Sequence, residues 1–329
     1  MSTSTVIKQL STATANVASS FRNMAGCLGA TSAILLAIST ASAQAATLSN
    51  GSLNVTIRDD NGAIDTVLFG GSDFYNPGGS VSDYGFQNGT NTSTFVINTT
   101  TGFTGQPVSV TSGSGFVAVS GTYTGGGANV SFTRTYSLVD GLDVLRITTN
   151  FVNNGPEVML RYFDTFDPDQ GVGQGRGFGT SNDVLTLSTD NGLARVGQAM
   201  EAGGLTVVMG SVASNATVAS GSPFSIFNGS ALNTFFSSPV DSNGAFNDQG
   251  THVGAMQVLM GTGGASTFVY DQAYGTSMTV AQDQFIRANS ASTEPAPQPV
   301  PEPISVLGLL AVGALGTGSV LKRKQQHNA

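Results

Sequence analysis

The chain has 329 residues, 43 of them glycine, and only 10% of its residues are charged. A typical soluble domain carries about 25% charged residues, so this composition excludes the highly charged type of disordered chain. Residues 46–293 hold seven arginines, no lysine and eighteen acids, a net charge of −11. This charge excludes nucleic acid as a partner, because contacts with phosphates need basic residues.

Residues 1–45 have the organisation of a secretory signal peptide. A weakly basic region precedes an apolar segment at 28–38, and Ala43 and Ala45 each end a small-x-small cleavage site. Eleven apolar residues are too few for a stable membrane span, so we expect cleavage and export. Cys27, the only cysteine, would be lost with the signal, which leaves no disulfide or thiolate in the mature protein.

The body of the chain, residues 46–288, alternates short β-branched and aromatic runs with Gly, Asn and Asp turns. This pattern predicts an all-β domain, an antiparallel β-sandwich of which the larger supersandwich is one form. Residues 70–93 are expected to form a long loop, and 234–237 a strand. Apolar residues at helical spacing predict one short helix near the end, over 278–287.

The best-defined element is a hairpin at residues 129–153, folded about residues 140–141. A two-residue loop places Tyr136 opposite Leu145 and gathers the apolar side chains on one face. Arg134 is the exception on that face. Two interpretations are open: the arginine pairs with a core carboxylate or reaches the rim, or it binds a ligand on a concave sheet.

The stretch richest in potential ligand side chains contains Asp164, Asp167 and Asp169, which precede a glycine. Clustered oxygen ligands beside a sharp turn are features of calcium loops, although the spacing of an EF-hand is absent. Asp-Pro-Asp also forms plain turns, and Arg161 and Arg176 are near enough in sequence to neutralise the acids. A calcium site at the three aspartates and a structural turn are both open; we expect no other cofactor.

Candidate catalytic groups are few, because His252 is the only histidine of the body. A Ser-His-Asp triad would need it, and zinc catalysis would need several more. No Gly-x-Ser-x-Gly elbow lies between a strand and a helix. We therefore assign no catalytic residue, and His252 is either a structural histidine or a ligand-binding one.

The end of the chain combines a Pro-rich linker at 289–300 with three signals in a fixed order. A Pro-Glu-Pro tripeptide precedes an uncharged run at 304–321, and a basic cluster follows. At about 1.5 Å per residue the run spans roughly 27 Å as a helix, enough to cross a bilayer core of about 30 Å. The basic cluster should stay on the cytoplasmic side. The tripeptide and the cluster are Pro301, Glu302, Pro303 and Lys322, Arg323, Lys324.

This tail, residues 301–329, closely resembles the PEP-CTERM sorting signal of bacterial exported proteins. The resemblance implies processing near the tripeptide by an exosortase-type membrane protease, in a bacterium that makes extracellular polysaccharide. It covers about thirty of the 329 residues and implies no activity for the body.

A second resemblance concerns the body. The opening hairpin at 53–64 and the strand at 133–138 are similar to the β-supersandwich of galactose mutarotase-like proteins. Those enzymes use histidines with a glutamate, whereas this body offers only His252.

We therefore expect an exported protein, held in the inner membrane by its C-terminal helix until processing and then located at the cell surface or outside the cell. The body is expected to be a non-catalytic envelope or matrix component that associates with polysaccharide. The alternative is a carbohydrate-active enzyme or a sugar-binding protein on a supersandwich.

Overall fold

The structure is a computed structural model, which describes residues 45–75, 82–98, 105–221, 228–247 and 250–290. The predicted signal peptide up to residue 44, the linker from residue 291, the sorting tripeptide, the span at 304–321 and the basic cluster lie outside the described residues. Within the described ranges, no helix is both long and apolar enough to cross a membrane.

The described residues form strands β1–β18 and helices α1 and α2. The strands are β1 (Ala46–Ser49), β2 (Leu53–Ile57), β3 (Ile64–Phe69), β4 (Ser72–Asp73), β5 (Ser82–Asn88), β6 (Val96–Asn98), β7 (Val108–Gly113), β8 (Phe116–Tyr123), β9 (Val130–Leu138), β10 (Val144–Asn153), β11 (Val158–Phe166), β12 (Thr180–Thr189), β13 (Gly192–Glu201), β14 (Thr206–Ser211), β15 (Ala216–Gly221), β16 (Ala245–Asn247), β17 (Gly250–Leu259) and β18 (Ala265–Gly275). The helices are α1 (Gly229–Ser237) and α2 (Met278–Ser290).

The described residues of the domain form three antiparallel sheets. The largest has nine strands in the order β16-β12-β13-β14-β18-β10-β9-β8-β7, and the second has five in the order β15-β17-β11-β5-β6. A four-stranded sheet, β1-β2-β3-β4, completes the set. Apolar side chains from all three sheets join in one buried core, so the predicted all-β sandwich is confirmed.

Each helix covers the outer face of a different sheet. In α2, Ala281, Phe285 and Ala288 pack with apolar residues of β10, β13, β14 and β18 of the nine-stranded sheet. In α1, Leu232 and Phe235 pack on β6, β11 and β15 of the five-stranded sheet. Both sheets therefore bury side chains on two faces, which explains the buried polar groups on the outer face of the smaller one.

The hairpin of β9 and β10 has a register two residues away from the predicted one. Tyr136 lies opposite Ile147, and Arg134 lies opposite Thr149. The connection is longer than two residues, because the Val139 N–H still donates to the Val144 carbonyl at 2.9 Å. A shift of two residues preserves the faces of both strands, so Arg134 remains on the apolar side.

The helix predicted over 278–287 is present as α2, which continues through Ser290 into the predicted linker. The strand predicted over 234–237 is wrong, because these residues end helix α1. Asn228 starts this helix by accepting a hydrogen bond from the Ala231 N–H at 2.9 Å. A side-chain cap of this kind favours a helix even where β-prone residues follow.

The long loop predicted over 70–93 contains strand β5. Tyr84 and Phe86 of this strand enter the core, and Gly85 separates them. A Cβ atom on Gly85 would lie 2.6 Å from the Phe163 ring and 2.4 Å from a backbone oxygen. Glycine therefore reflects close packing between strands here, whereas from sequence it indicated a loop.

Candidate ligand-binding site

Strand β11 lies between β17 and β5 and presents different chemistry on its two faces. Tyr162 and Asp164 are directed into the core of the sandwich. Arg161 and Phe163 are on the opposite, outer face, because side chains alternate along a strand. The two faces form two separate polar clusters.

The inner cluster is built around Arg134, which is 1% exposed. Its guanidinium makes a two-pronged ion pair with Asp164, at 2.6 Å and 2.7 Å between the nitrogen and oxygen atoms. Arg134 therefore pairs with a core carboxylate, the first of its two interpretations. A fork-to-fork pair of this kind is the strongest form of arginine–carboxylate contact.

Tyrosine hydroxyls complete the inner cluster. Arg134 donates to the hydroxyls of Tyr136 at 2.6 Å, of Tyr270 at 3.1 Å and of Tyr162. Its guanidinium carbon also lies 4.8 Å from the centre of the Tyr84 ring. With every face of the guanidinium occupied by protein groups, this cluster is sealed and structural.

Burial sets the ionisation of the inner cluster. It raises the pKa of Tyr136 to about 12 and raises the pKa values of Tyr84, Tyr162 and Tyr270 well above the ordinary tyrosine value. Burial opposes the charge on Arg134, but Asp164 and the tyrosines hold the pKa of Arg134 well above its usual value. The cluster is thus a neutralised ion pair inside a shell of protonated tyrosines.

The other predicted site residues lie outside this cluster. Asp167 and Asp169 follow β11 and are buried, and the Asp169 N–H donates to the Phe74 carbonyl at 2.9 Å. Across the part of the chain that the structure describes, no three His, Cys, Asp or Glu residues form a metal-binding group. Asp164 is engaged by Arg134, and calcium binding at the three aspartates stays a prediction.

His252 belongs to β17, where its main chain is paired with Thr165 of β11 and Ala219 of β15. Of the predicted residues, the structure thus joins Arg134 with Asp164. It positions the other aspartates just beyond the same strand, and the main chain of His252 one strand away.

The outer face of β11 carries a polar group that we call the Arg161 cluster: Gln87, Arg161, Asn233 and Phe236. Gln87 is the cross-strand partner of Arg161 on β5. Both donate to the side-chain oxygen of Asn233 in α1, Gln87 at 3.0 Å. Asn233 in turn donates to the Thr90 carbonyl at 3.0 Å, which fixes the orientation of its amide.

The cluster lies at the edge of the layer formed by α1. The Arg161 guanidinium carbon is 5.2 Å from the centre of the Phe236 ring, a cation–π distance. Arg161 is only 7% exposed, whereas Asn233 and Phe236 are half-buried. The cluster is therefore sheltered, with a rim that meets solvent.

Arg161 differs from Arg134 because it has no carboxylate partner among the described residues. Among the described residues, no carboxylate lies within ion-pair distance of Arg161. Its Nε atom and the side-chain oxygen of Gln87 have no hydrogen-bond partner there. Burial lowers the pKa of Arg161, because nothing nearby compensates for the loss of water around the charge.

Arg161 and Arg176 are near enough in sequence to neutralise the aspartates, but neither forms an ion pair with them among the described residues. Arg176 pairs with Glu201 at 2.5 Å, and Arg161 has the amide contacts described above. The one available signal was alternation, which turns residue 161 away from residues 162 and 164. Asn233 lies 72 residues from Arg161, so no local pattern could join them.

No known protein family and no curated protein matches this sequence. Several solved structures align with it at low sequence identity. A galactose mutarotase-like protein from Lactobacillus casei aligns over 70% of this chain and 100% of its own, at 8% identity and a TM-score of 0.41. A galactose mutarotase related enzyme from Lactobacillus acidophilus aligns over 71% of this chain and 99% of its own, at 11% identity and a TM-score of 0.39.

A bacterial glucoamylase complexed with acarbose aligns over 75% of this chain but only 34% of its own, at 11% identity and a TM-score of 0.46. Two of these solved structures carry the name of the galactose mutarotase class that the sequence resembles. At these identities the likeness concerns the fold alone and assigns no activity to this chain.

Proposed function

We propose that the protein is an exported cell-surface or matrix component whose β-sandwich binds a saccharide at the Arg161 cluster. The observation that carries the proposal is a pair of polar atoms in this cluster that have no hydrogen-bond partner among the described residues. The Nε atom of Arg161 and the side-chain oxygen of Gln87 are buried without partners in the described part of the chain. Such groups cost free energy when left unpaired, and a ligand rich in hydroxyls satisfies them.

The composition of the cluster also suits a sugar. It combines a guanidinium, two amides and the half-buried ring of Phe236. Polar groups fix the orientation of a ligand in this type of site, and an aromatic ring packs against its apolar face. Saccharides carry both kinds of surface on one small molecule.

Delivery to the cell surface rests on the tail. The order of tripeptide, apolar run and basic cluster supports sorting by an exosortase-type protease. The body is compatible with release, because its last helix is tied to the sheet: Arg146 donates to the Ala288 carbonyl at 2.9 Å, and Asn289 donates to Asp271 at 2.8 Å. Cleavage near residues 301–303 would leave these contacts intact.

Calorimetry with a panel of neutral and acidic oligosaccharides tests the binding function on the full-length protein in detergent. We expect Asn233→Ala to weaken binding of any positive saccharide about tenfold or more, because both neighbours of its oxygen lose their acceptor. Thr234→Ala, one residue further and exposed, is the matched control and should bind normally. Equal binding by both variants would show that the saccharide does not bind at the Arg161 cluster.

The enzyme alternative is favoured by one different observation. Asp83, Thr165 and His252 are aligned in one row across β5, β11 and β17. A carboxyl, a hydroxyl and an imidazole on adjacent strands are residue types used in general acid–base chemistry. Release of sugar from a polysaccharide by the wild type, abolished in Asp83→Asn or His252→Ala, would establish this alternative over the non-catalytic function.

The sorting function has its own test in the producing bacterium. Replacing Pro301-Glu302-Pro303 by alanines should leave the protein unprocessed in the membrane fraction. Replacing Pro295 and Pro297 of the linker by alanine is the matched control, since it changes prolines without touching the tripeptide. Normal processing of the tripeptide variant would contradict the assignment of the tail.

A further inference from the structure

We infer that the Arg161 cluster takes an acidic saccharide, which presents a carboxylate to the guanidinium of Arg161. This inference rests on the proposed saccharide function and specifies its ligand class. It would make the chain a receptor for uronate-bearing polymers, as opposed to neutral ones.

The charge of Arg161 is the first step of the argument. A guanidinium stays protonated in proteins, so burial cannot be relieved by loss of the proton. The other described arginines either pair with a carboxylate or are exposed. The paired ones are Arg58, Arg134, Arg146 and Arg176, and the exposed ones are Arg195 and Arg287. Arg161 alone in this set is sheltered without a counter-charge, and a ligand carboxylate supplies it.

The free atoms of the guanidinium are the second step. Its Nη1 atom donates to Asn233, whereas its buried Nε atom donates to no group of the described residues. Nε and Nη2 point in nearly the same direction and form the side-on fork that binds both oxygens of a carboxylate. Asn233 thus engages one end of the guanidinium, and Nε on the two-pronged side is left without a hydrogen-bond partner among the described residues.

The neighbours of Arg161 describe the rest of the ligand. The Gln87 side-chain oxygen accepts a hydrogen bond, which a sugar hydroxyl donates. Phe236 offers a half-buried ring for the C–H face of a sugar. A uronate ring carries a carboxylate, a hydroxyl and an apolar C–H face within a few ångströms of one another. It therefore matches all three of these protein groups.

The net charge of the domain limits which acidic polymers fit. Residues 46–293 carry a net charge of −11, which repels dense polyanions. Exposed charges are screened beyond about 8 to 10 Å in physiological salt, whereas the contact at Arg161 is not. We therefore expect the site to favour polymers with isolated uronates between neutral sugars.

The test uses a matched pair of ligands with the full-length protein in detergent: a neutral trisaccharide capped by one glucuronate, and its methyl ester. We expect the free acid to bind about 10- to 100-fold more tightly than the ester. Arg161→Gln should abolish that difference, and Arg195→Gln, an exposed arginine, should leave it unchanged. A difference that survives Arg161→Gln would overturn the inference.

A second variant keeps the test decisive if Arg161→Gln does not fold. Gln87→Glu places a carboxylate of the same length beside Arg161 and supplies the missing charge from within the protein. We expect a raised melting temperature together with loss of the acid preference. An unchanged preference for the acid in this variant would contradict the assignment of Arg161.

The outcomes separate the two proposals. Equal binding of acid and ester, still weakened by Asn233→Ala, keeps the saccharide function and overturns the acidic ligand. Binding of neither molecule, nor of any other oligosaccharide, overturns both. A sulfated analogue or an acidic peptide that competes as well as the glucuronate would show that the site recognises negative charge alone. That result would contradict a carboxylate sugar as its ligand.

Discussion

Arg134 and Arg161 are both buried and both lie against strand β11, yet their surroundings are opposite. Arg134 reaches the inner face of the strand, where Asp164 and tyrosine hydroxyls surround it. Arg161 extends from the outer face, where it meets amides and a ring but no carboxylate of the described chain. The presence or absence of a counter-charge therefore distinguishes Arg134 from Arg161, the arginine that we propose to bind a ligand, whereas burial does not.

The physical cause lies in the cost of removing charge from water. A buried pair recovers this cost through its attraction and hydrogen bonds, and the pKa of Arg134 is accordingly held well above its ordinary value. Arg161 has no carboxylate partner among the described residues, so burial lowers its pKa. The inner cluster is thus complete, whereas the outer one has no counter-charge among the described residues.

The largest expected effect comes from a substitution that breaks the inner cluster. Asp164→Asn should destabilise the domain by about 3 to 5 kcal/mol, because Arg134 would remain as a buried, uncompensated charge. The change in the free energy of unfolding is measured by urea denaturation. Asp60→Asn is the control, since its pair with Arg58 is solvent-exposed, with the Asp60 side chain 56% accessible, and should cost about 1 kcal/mol or less.

A loss below about 1 kcal/mol in Asp164→Asn would mean that the tyrosine hydroxyls alone stabilise Arg134. The comparison between the two faces of β11 would then fail, since an arginine without a carboxylate would be stable on either side.

A smaller effect comes from the tyrosine shell in alkaline solution. The pKa of Tyr136 is about 12 in the folded protein, above the ordinary value of about 10 that applies when the chain is unfolded. The unfolded chain therefore releases this proton first. The contribution of Tyr136 to the free energy of unfolding is fully present below about pH 10. It falls by on the order of 2 to 3 kcal/mol as the pH rises towards about 12.

Urea denaturation across this pH range measures the slope. Tyr136→Phe cannot ionise at this position, so its stability should decline less steeply, whatever its absolute value. Identical slopes for the wild type and the variant would show that Tyr136 is not part of a sealed cluster.

The smallest expected effect is on the outer face. Arg161→Met keeps an unbranched, shorter side chain and removes an uncompensated charge, so the free energy of unfolding should change by about 1 kcal/mol or less, in either direction. The same urea experiment measures it beside Asp164→Asn. A loss as large as that of Asp164→Asn would make Arg161 a second structural arginine and weaken its role in binding.

Local patterns in the sequence determined much of the fold. Alternation of apolar residues predicted an all-β sandwich and put Arg134 on the apolar face of its hairpin. Helical spacing predicted α2. These features succeed because the periods of strands and helices are set by the backbone itself and are visible within a dozen residues. The predicted sorting tail likewise depends on local order alone.

Only the tertiary structure decided which arginine has a partner. Asp164 lies 30 residues from Arg134, and Asn233 lies 72 residues from Arg161. The first contact arises from the packing of two sheets and the second from the packing of helix α1 on a sheet, and a single sequence carries no periodic signal for either. The sequence thus placed Arg134 on an apolar face, and only the three-dimensional fold gave it a counter-charge and left Arg161 without one among the described residues.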